Sequence, residues 1–217
     1  MSDINALAYI NNMRYGVVSF IGRGKSGKSM HMYSLLSVCP KLINRPKAMY
    51  RFPLVDLFPD EFNCYSVEHF DDVKNGSVLI IEDINRIFPS RKSYDPELQE
   101  YLGIISHKNV LIMTTGQNTA SGDMAFYRDQ DLVTVHKLMD PLGIEFERRE
   151  FSGYCETANS VINEVSEMSG IHHVFISYIP RFHQSLILDE PPEWYGYDIS
   201  HALRDVKVRR DKDKGVS

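Results

Sequence analysis

The stretch YGVVSFIGRGKSGKSMHMYSLLSV, residues 15–38, decides how this chain is read: an apolar run enters a glycine-rich turn and leaves as a helix. Residues 15–21 are short, aromatic and β-branched with almost no charge, the pattern of a buried strand. Beyond the turn, Met30, Tyr33, Leu35, Leu36 and Val38 supply the apolar face of a helix lying on a sheet, and Pro40 stops it. Between the two, Gly22, Gly27, Lys28 and Ser29 match G-x-x-x-x-G-K-[ST] in the strand, loop and helix context that this pattern requires.

The turn carries its own chemistry. Glycines let the backbone approach an anion closely and point successive N–H groups into one concavity. The helix start adds unpaired N–H groups and the positive end of a dipole. Gly22, Arg23, Gly24, Lys25, Ser26, Gly27, Lys28, Ser29 and Met30 are therefore the candidate cradle for the phosphates of ATP. Lys28 is expected at the β- and γ-phosphates and the Ser29 hydroxyl on Mg²⁺. Arg23 and Lys25 read equally well as phosphate contacts or as solvated basic side chains.

Working outward, the turn Lys74-Asn75-Gly76 leads into SVLIIED, where residues 78–81 form a continuous apolar strand of the kind found in buried parallel sheets. It ends in Glu82 and Asp83. One carboxylate at the carboxyl end of a strand beside the phosphate loop can hold the Mg²⁺ shell, and its neighbour can orient or deprotonate a water. Asp95, Pro96 and Glu97 start a helix running to about His107, and residues 109–115 form another short buried strand. Its exit, Gly116-Gln117-Asn118, sets an amide at the same sheet edge, which makes Gln117 a sensor candidate.

The remaining segments are read as a short leading helix over 5–13, a strand over 47–54, and a loop over 54–75 with a helical turn near 70–73. A short helix over 120–128 and a strand over 131–138 follow. This order implies an α/β fold with one mostly parallel central sheet and helices on both faces. Past residue 139, the alternation in IEFERREF (144–151) predicts an edge or hairpin strand, 163–168 a helix and 174–179 a strand. Trp194, Tyr195 and Tyr197 follow Pro191-Pro192 and are expected to pack a C-terminal segment against the body. His172, His173 and His183 lack the spacing of a zinc site.

With 217 residues, 43% hydrophobic and 24% charged, the chain has the composition of a globular protein with one substantial core. Residues 1–203 are expected to form a single domain. Residues 204–217, with six basic and three acidic side chains, are expected to be a charged tail that either touches DNA or solubilises the chain end. The net charge of -5 argues against a surface coated by nucleic acid while allowing a local basic path. Three cysteines without metal-like spacing fit a reducing compartment. No run approaches about 18 apolar residues, so no transmembrane segment is expected and the protein is read as intracellular.

Taken together, GRGKSGKS (22–29), VLIIED (78–83), TTGQN (114–118) and FYRDQD (126–131) resemble the small P-loop ATPases of the FtsK/HerA superfamily. Within it, the similarity over residues 14–138 is to the genome-packaging ATPases of internal-membrane, double-jelly-roll viruses, including those of archaea. The resemblance implies a RecA-like core, a homo-oligomeric ring around double-stranded DNA, and ATP hydrolysis coupled to translocation of the genome into a capsid. It further implies capsid or portal-vertex partners, and a place in the cytoplasm of the infected host cell and transiently at the procapsid. It gives Lys28 and Ser29 the phosphate and Mg²⁺ roles, Gln117 the sensor role, and Arg128 a role across a subunit boundary. Arg91 and Arg86 are the other candidates for an arginine acting on a neighbour's nucleotide, and the basic loop holding Arg91 equally suits DNA contact.

This chain departs from the family in carrying Glu82-Asp83 where Asp-Glu is common, which leaves open which carboxylate organises Mg²⁺ and which acts on water. Residues 84–107, particularly IFPSR, also resemble the Zot-like ATPases of filamentous phage assembly, although the membrane span usual there is not seen in this sequence. A small-molecule kinase is the competing class. It requires an acceptor pocket and a lid, and the sequence has no arginine-rich lid.

Overall fold

The computed structural model describes residues 5–90, 95–128 and 131–203. A leading helix α1 (Ala6–Asn12) precedes β1 (Gly16–Ile21), and the phosphate loop then opens α2 (Lys28–Val38), followed by one turn of helix, α3 (Pro40–Ile43). Next come β2 (Lys47–Tyr50), β3 (Cys64–Val67), β4 (Val78–Ile81), α4 (Ile84–Ile87), α5 (Pro96–Lys108) and β5 (Leu111–Gly116). The chain continues through β6 (Leu132–His136), α6 (Pro141–Glu145), α7 (Arg149–Ser169), β7 (Ile176–Ile179), β8 (Gln184–Ile187) and α8 (Tyr197–Ser200).

The strands form one eight-stranded sheet in the order β3-β2-β4-β5-β1-β6-β7-β8. From β3 to β6 every pairing is parallel, and β7 and β8 are added antiparallel. Side chains alternate across the sheet, so β1 feeds both faces. Val18 and Phe20 join Met32, Leu35, Leu36 and Leu42 on the side of α2 and α3, while Val17 and Ile21 join Leu98, Tyr101, Ile105 and Phe151 on the side of α5 and α7. The α/β sheet covered on both faces is as the sequence indicates. The start of α5 is too, with Asp95 accepting the Leu98 N–H at 3.2 Å and Pro96 in the first turn.

Residues 144–151 do not form a strand. Pro141 starts α6, which ends at Glu145, and α7 begins at Arg149. Between them the Glu147 carboxylate accepts the Thr119 and Ala120 N–H groups, while Arg148 donates to Thr119 O and Gly122 O, which draws the segment into a bracket around the loop after β5. The apolar alternation defines no face, because Phe151 is buried whereas Phe146 is 77% exposed. The 54–75 region contains the edge strand β3, and β8 is a further edge strand that the pattern does not reveal. The predicted strand over 47–54 stops at Tyr50, since Arg51 adopts φ +49°. The predicted tail, 204–217, lies outside the described residues.

One side chain ties the amino ends of the central strands together. The Arg45 guanidinium donates to Gly76 O at 2.7 Å, Met13 O at 3.1 Å, Arg14 O at 3.1 Å, Ser77 O at 2.7 Å and Asn109 O at 2.6 Å. These carbonyls lie just before β1, β4 and β5. Burial lowers the guanidinium to about 10, which leaves it charged at neutral pH. Replacing it strands several carbonyls at once, so Arg45→Met is expected to lower unfolding stability in urea by about 3 kcal/mol or more.

His136, wholly buried on β6, meets Thr134 Oγ1 at 3.0 Å and Cys155 Sγ at 3.6 Å. Burial lowers its pKa from 6.5 to about 4. The folded value lies below the unfolded one, so its contribution is complete above pH 6.5 and is lost as pH falls through 4, at up to about 1.4 kcal/mol per unit. In His136→Gln, stability measured against pH is expected to decline less steeply between 6.5 and 4 than in the unaltered protein.

Candidate active site

The parallel sheet brings the two motifs together because β5 lies between β1 and β4, so the carboxyl ends of all three face the same rim. At the mouth of the loop, Gly22 N–H donates to Gly116 O at 3.2 Å and Arg23 N–H to Leu138 O at 2.8 Å, which anchors the turn to the strands on either side. A Cβ on Gly22 would stand 2.7 Å from Lys137 Cβ and 2.9 Å from Ser26 Oγ. Gly27, the residue capping α2, adopts φ +81° and packs against Val174. Arg23, Gly24 and Lys25 form the exposed tip, where Arg23 pairs with Asp140 at 3.2 Å. Met30 is half-buried in the first turn of α2.

Lys28 folds back over the turn and donates to Gly22 O at 2.9 Å and Arg23 O at 2.8 Å. Burial lowers its ammonium to about 8, against the upward pull of the Asp83 and Glu82 carboxylates. Ser29 Oγ donates to Glu82 Oε2 at 2.6 Å, and Tyr33 OH donates to Glu82 Oε1 at 2.6 Å. Both donors come from α2, one turn apart, so a single helix face satisfies both oxygens of the carboxylate. Burial raises the Glu82 pKa, and the two hydroxyl donors oppose that shift.

Asp83 turns away from the strand. Its backbone is left-handed at φ +53°, its N–H donates to Thr115 Oγ1 at 2.9 Å, and its side chain is 41% exposed. Arg86 Nε lies 3.9 Å from Asp83 Oδ2. Gln117 is exposed immediately after Gly116, which pairs with Ile21 at the entrance to the loop.

Arg128 stands elsewhere. It is exposed at the end of a 3-10 turn and lines a cleft of about 800 Å³ together with Gln99, Asp123 and Arg148, and no residue of the phosphate loop lines that cleft. Arg91 lies outside the described residues.

Sequence reasoning missed Tyr33, Thr115 and Lys137. Tyr33 reads as one more apolar position of α2, although its place four residues after Ser29 is a usable signal. Lys137 is buried after β6 and donates to Val174 O and Ile176 O, both at 2.5 Å, with His31 Nδ1 3.3 Å away. It thereby fixes the wall against which Gly27 packs, and nothing in its sequence surroundings marks it.

The donor set fits a hard divalent cation. The Ser29 hydroxyl directs its proton to Glu82 and keeps its lone pairs, and Ser26 Oγ is buried with no hydrogen-bond partner among the described residues. Both ligand types are oxygen, as Mg²⁺ requires. Among the described residues no cluster of histidine, cysteine and carboxylate side chains suits another metal, and no helix is long and apolar enough to cross a membrane.

No protein-family model matches the chain, and no curated protein matches it. Solved structures do. The genome packaging NTPase B204 of Sulfolobus turreted icosahedral virus 2, in complex with ATPγS, superposes with a TM-score of 0.53 at 16% identity, covering 83% of this chain and 99% of that one. The DNA-packaging ATPase B204 of Sulfolobus turreted icosahedral virus gives 0.52 at 17% identity, covering 82% and 98%. The likeness is one of fold: this chain has the mostly parallel α/β architecture of those P-loop ATPases.

The two glycines at the start of the loop separate packing from flexibility, because nothing lies within 4 Å of a Cβ built on Gly24. Gly22→Ala is expected to lower unfolding stability in urea by about 1–3 kcal/mol, since loop backbone must move, and Gly24→Ala to change it by less than about 0.5 kcal/mol.

Proposed function

We propose that this chain is a Mg²⁺-dependent ATPase that drives double-stranded DNA into a viral capsid as a ring of identical subunits. The observation that carries the reading is the 2.6 Å hydrogen bond from Ser29 to Glu82, which joins the phosphate loop to the acidic strand end. Support for the DNA-packaging part comes from the fold shared with the two viral packaging enzymes, one solved with ATPγS.

In this reading the loop N–H groups and Lys28 bind the β- and γ-phosphates, Lys28 exchanging the carbonyls of Gly22 and Arg23 for phosphate oxygens. Ser29 and Glu82 hold Mg²⁺, which when bound offsets charge on those oxygens. Glu82 takes this part because it is the carboxylate bonded to both Ser29 and Tyr33, whereas the Asp83 carboxylate lies 3.9 Å from Arg86 Nε on a left-handed backbone. Asp83 therefore orients the attacking water and receives its proton, and Gln117 positions that water or a phosphate oxygen. Arg128, exposed and lining a cleft to which its own phosphate loop contributes no residue, acts on the nucleotide of a neighbouring subunit. Arg91 remains a second candidate for that role from its sequence position. DNA is gripped through backbone phosphates and so without base preference. Capsid or portal-vertex proteins are the partners, and the working location is the procapsid in the host cytoplasm.

The test is ATP hydrolysis with and without double-stranded DNA. DNA is expected to stimulate turnover severalfold, Lys28→Ala to abolish nucleotide binding, and Asp83→Asn to lower kcat by about a hundredfold or more while ATPγS still binds. Phosphate transfer to a nucleoside or metabolite with no response to DNA would overturn the motor reading. Full turnover by Asp83→Asn would reverse the roles of the two carboxylates.

A further inference from the structure

Glu82 is held at both oxygens, but the two donors differ in what fixes them. Ser29 belongs to the phosphate loop. Tyr33 stands one turn later inside a shell of rings: Phe58 at 5.4 Å, Tyr195 and Trp194 each at 5.7 Å, and Phe62 at 5.8 Å between centroids. Trp194 closes the shell by packing on Phe62 at 4.9 Å and Phe58 at 5.5 Å. Tyr33 itself is wholly buried. Three remote parts of the chain, α2, residues 58–62 and residues 194–195, thus converge on one phenol whose hydroxyl ends on Glu82 Oε1. Packing would be served equally by phenylalanine. The hydroxyl is explained by the carboxylate.

We propose that Tyr33 is a positioning residue for Glu82: the aromatic shell aims its hydroxyl, and that bond keeps the carboxylate in place while Ser29 serves the cation. This rests on the Mg²⁺-ATPase reading above. The carboxylate has single-bond rotations on the way to its oxygens, and in this half-buried site the two hydroxyl donors hold it in one orientation. With Ser29 shared between carboxylate and cation, Tyr33 is the donor whose position does not depend on the nucleotide. Its loss therefore acts on cation binding and turnover rather than on the grip of the phosphates.

Tyr33→Phe keeps the ring in its shell and removes only the hydroxyl. ATPγS affinity without Mg²⁺ is expected to change by less than about threefold. The Mg²⁺ concentration giving half-maximal thermal stabilisation at fixed ATPγS is expected to rise about tenfold, and kcat to fall about tenfold or more with KM nearly constant. An unchanged Mg²⁺ midpoint and kcat would overturn the proposal. A second measurement needs no nucleotide: Tyr33→Phe is expected to lower the melting temperature of the unaltered protein but not of Glu82→Met, which has no acceptor for the hydroxyl. Equal shifts in both backgrounds would overturn the proposal whatever the chain hydrolyses. An unaltered protein that Mg-ATPγS fails to stabilise would instead overturn the ATPase reading, leaving the nucleotide-free cycle to decide on Tyr33.

Discussion

A half-buried carboxylate held between the phosphate loop and the acidic strand end is the constraint around which this molecule is arranged. Partial burial disfavours the charged form of Glu82 unless donors meet it, and the protein supplies two hydroxyls from one face of α2 with the Lys28 ammonium nearby. For α2 to present both hydroxyls, its first turns must stand at the carboxyl ends of β1 and β4 while the rest of the helix packs on the sheet face. That placement is set by the close fit of Gly22 against Lys137 and of Gly27 against Val174. The glycine loop and the acidic strand end are therefore two halves of one packing problem.

The opposite rim of the sheet solves a different problem. There, strands begin and leave carbonyl groups facing inward, and Arg45 gathers five of them with one planar guanidinium. A lysine could not reach that many acceptors in fixed directions. An amino rim tied together by Arg45 and a carboxyl rim carrying the phosphate loop, Glu82 and Asp83 divide stability and the candidate site between the two ends of the same strands.

The parts of the fold legible in the sequence are those whose signal is local. β1, β4 and β5 are buried on both sides and read as short, almost uncharged runs rich in apolar residues, and the start of α5 announces itself through Asp95 and Pro96. β3 and β8 escape because edge strands bury only some positions, Val67 in one and Leu186 in the other. The segment 144–151 misleads because its alternation is produced by a turn between two helices, and the turn is dictated by a carboxylate, Glu147, answering N–H groups almost thirty residues earlier. The site divides in the same way. Lys28, Ser29 and Glu82 follow from motif spacing, whereas Tyr33 and Lys137 matter through partners that only the folded chain brings near.

The shell around Tyr33 contains Trp194, the sole tryptophan in the 217 residues. An indole in that place makes the protein its own optical probe: light absorbed at the red edge of the near-ultraviolet band is emitted from a single position, in contact with the phenol that holds Glu82. No label or engineered fluorophore is needed to watch this corner of the molecule, and no second emitter in the chain obscures it.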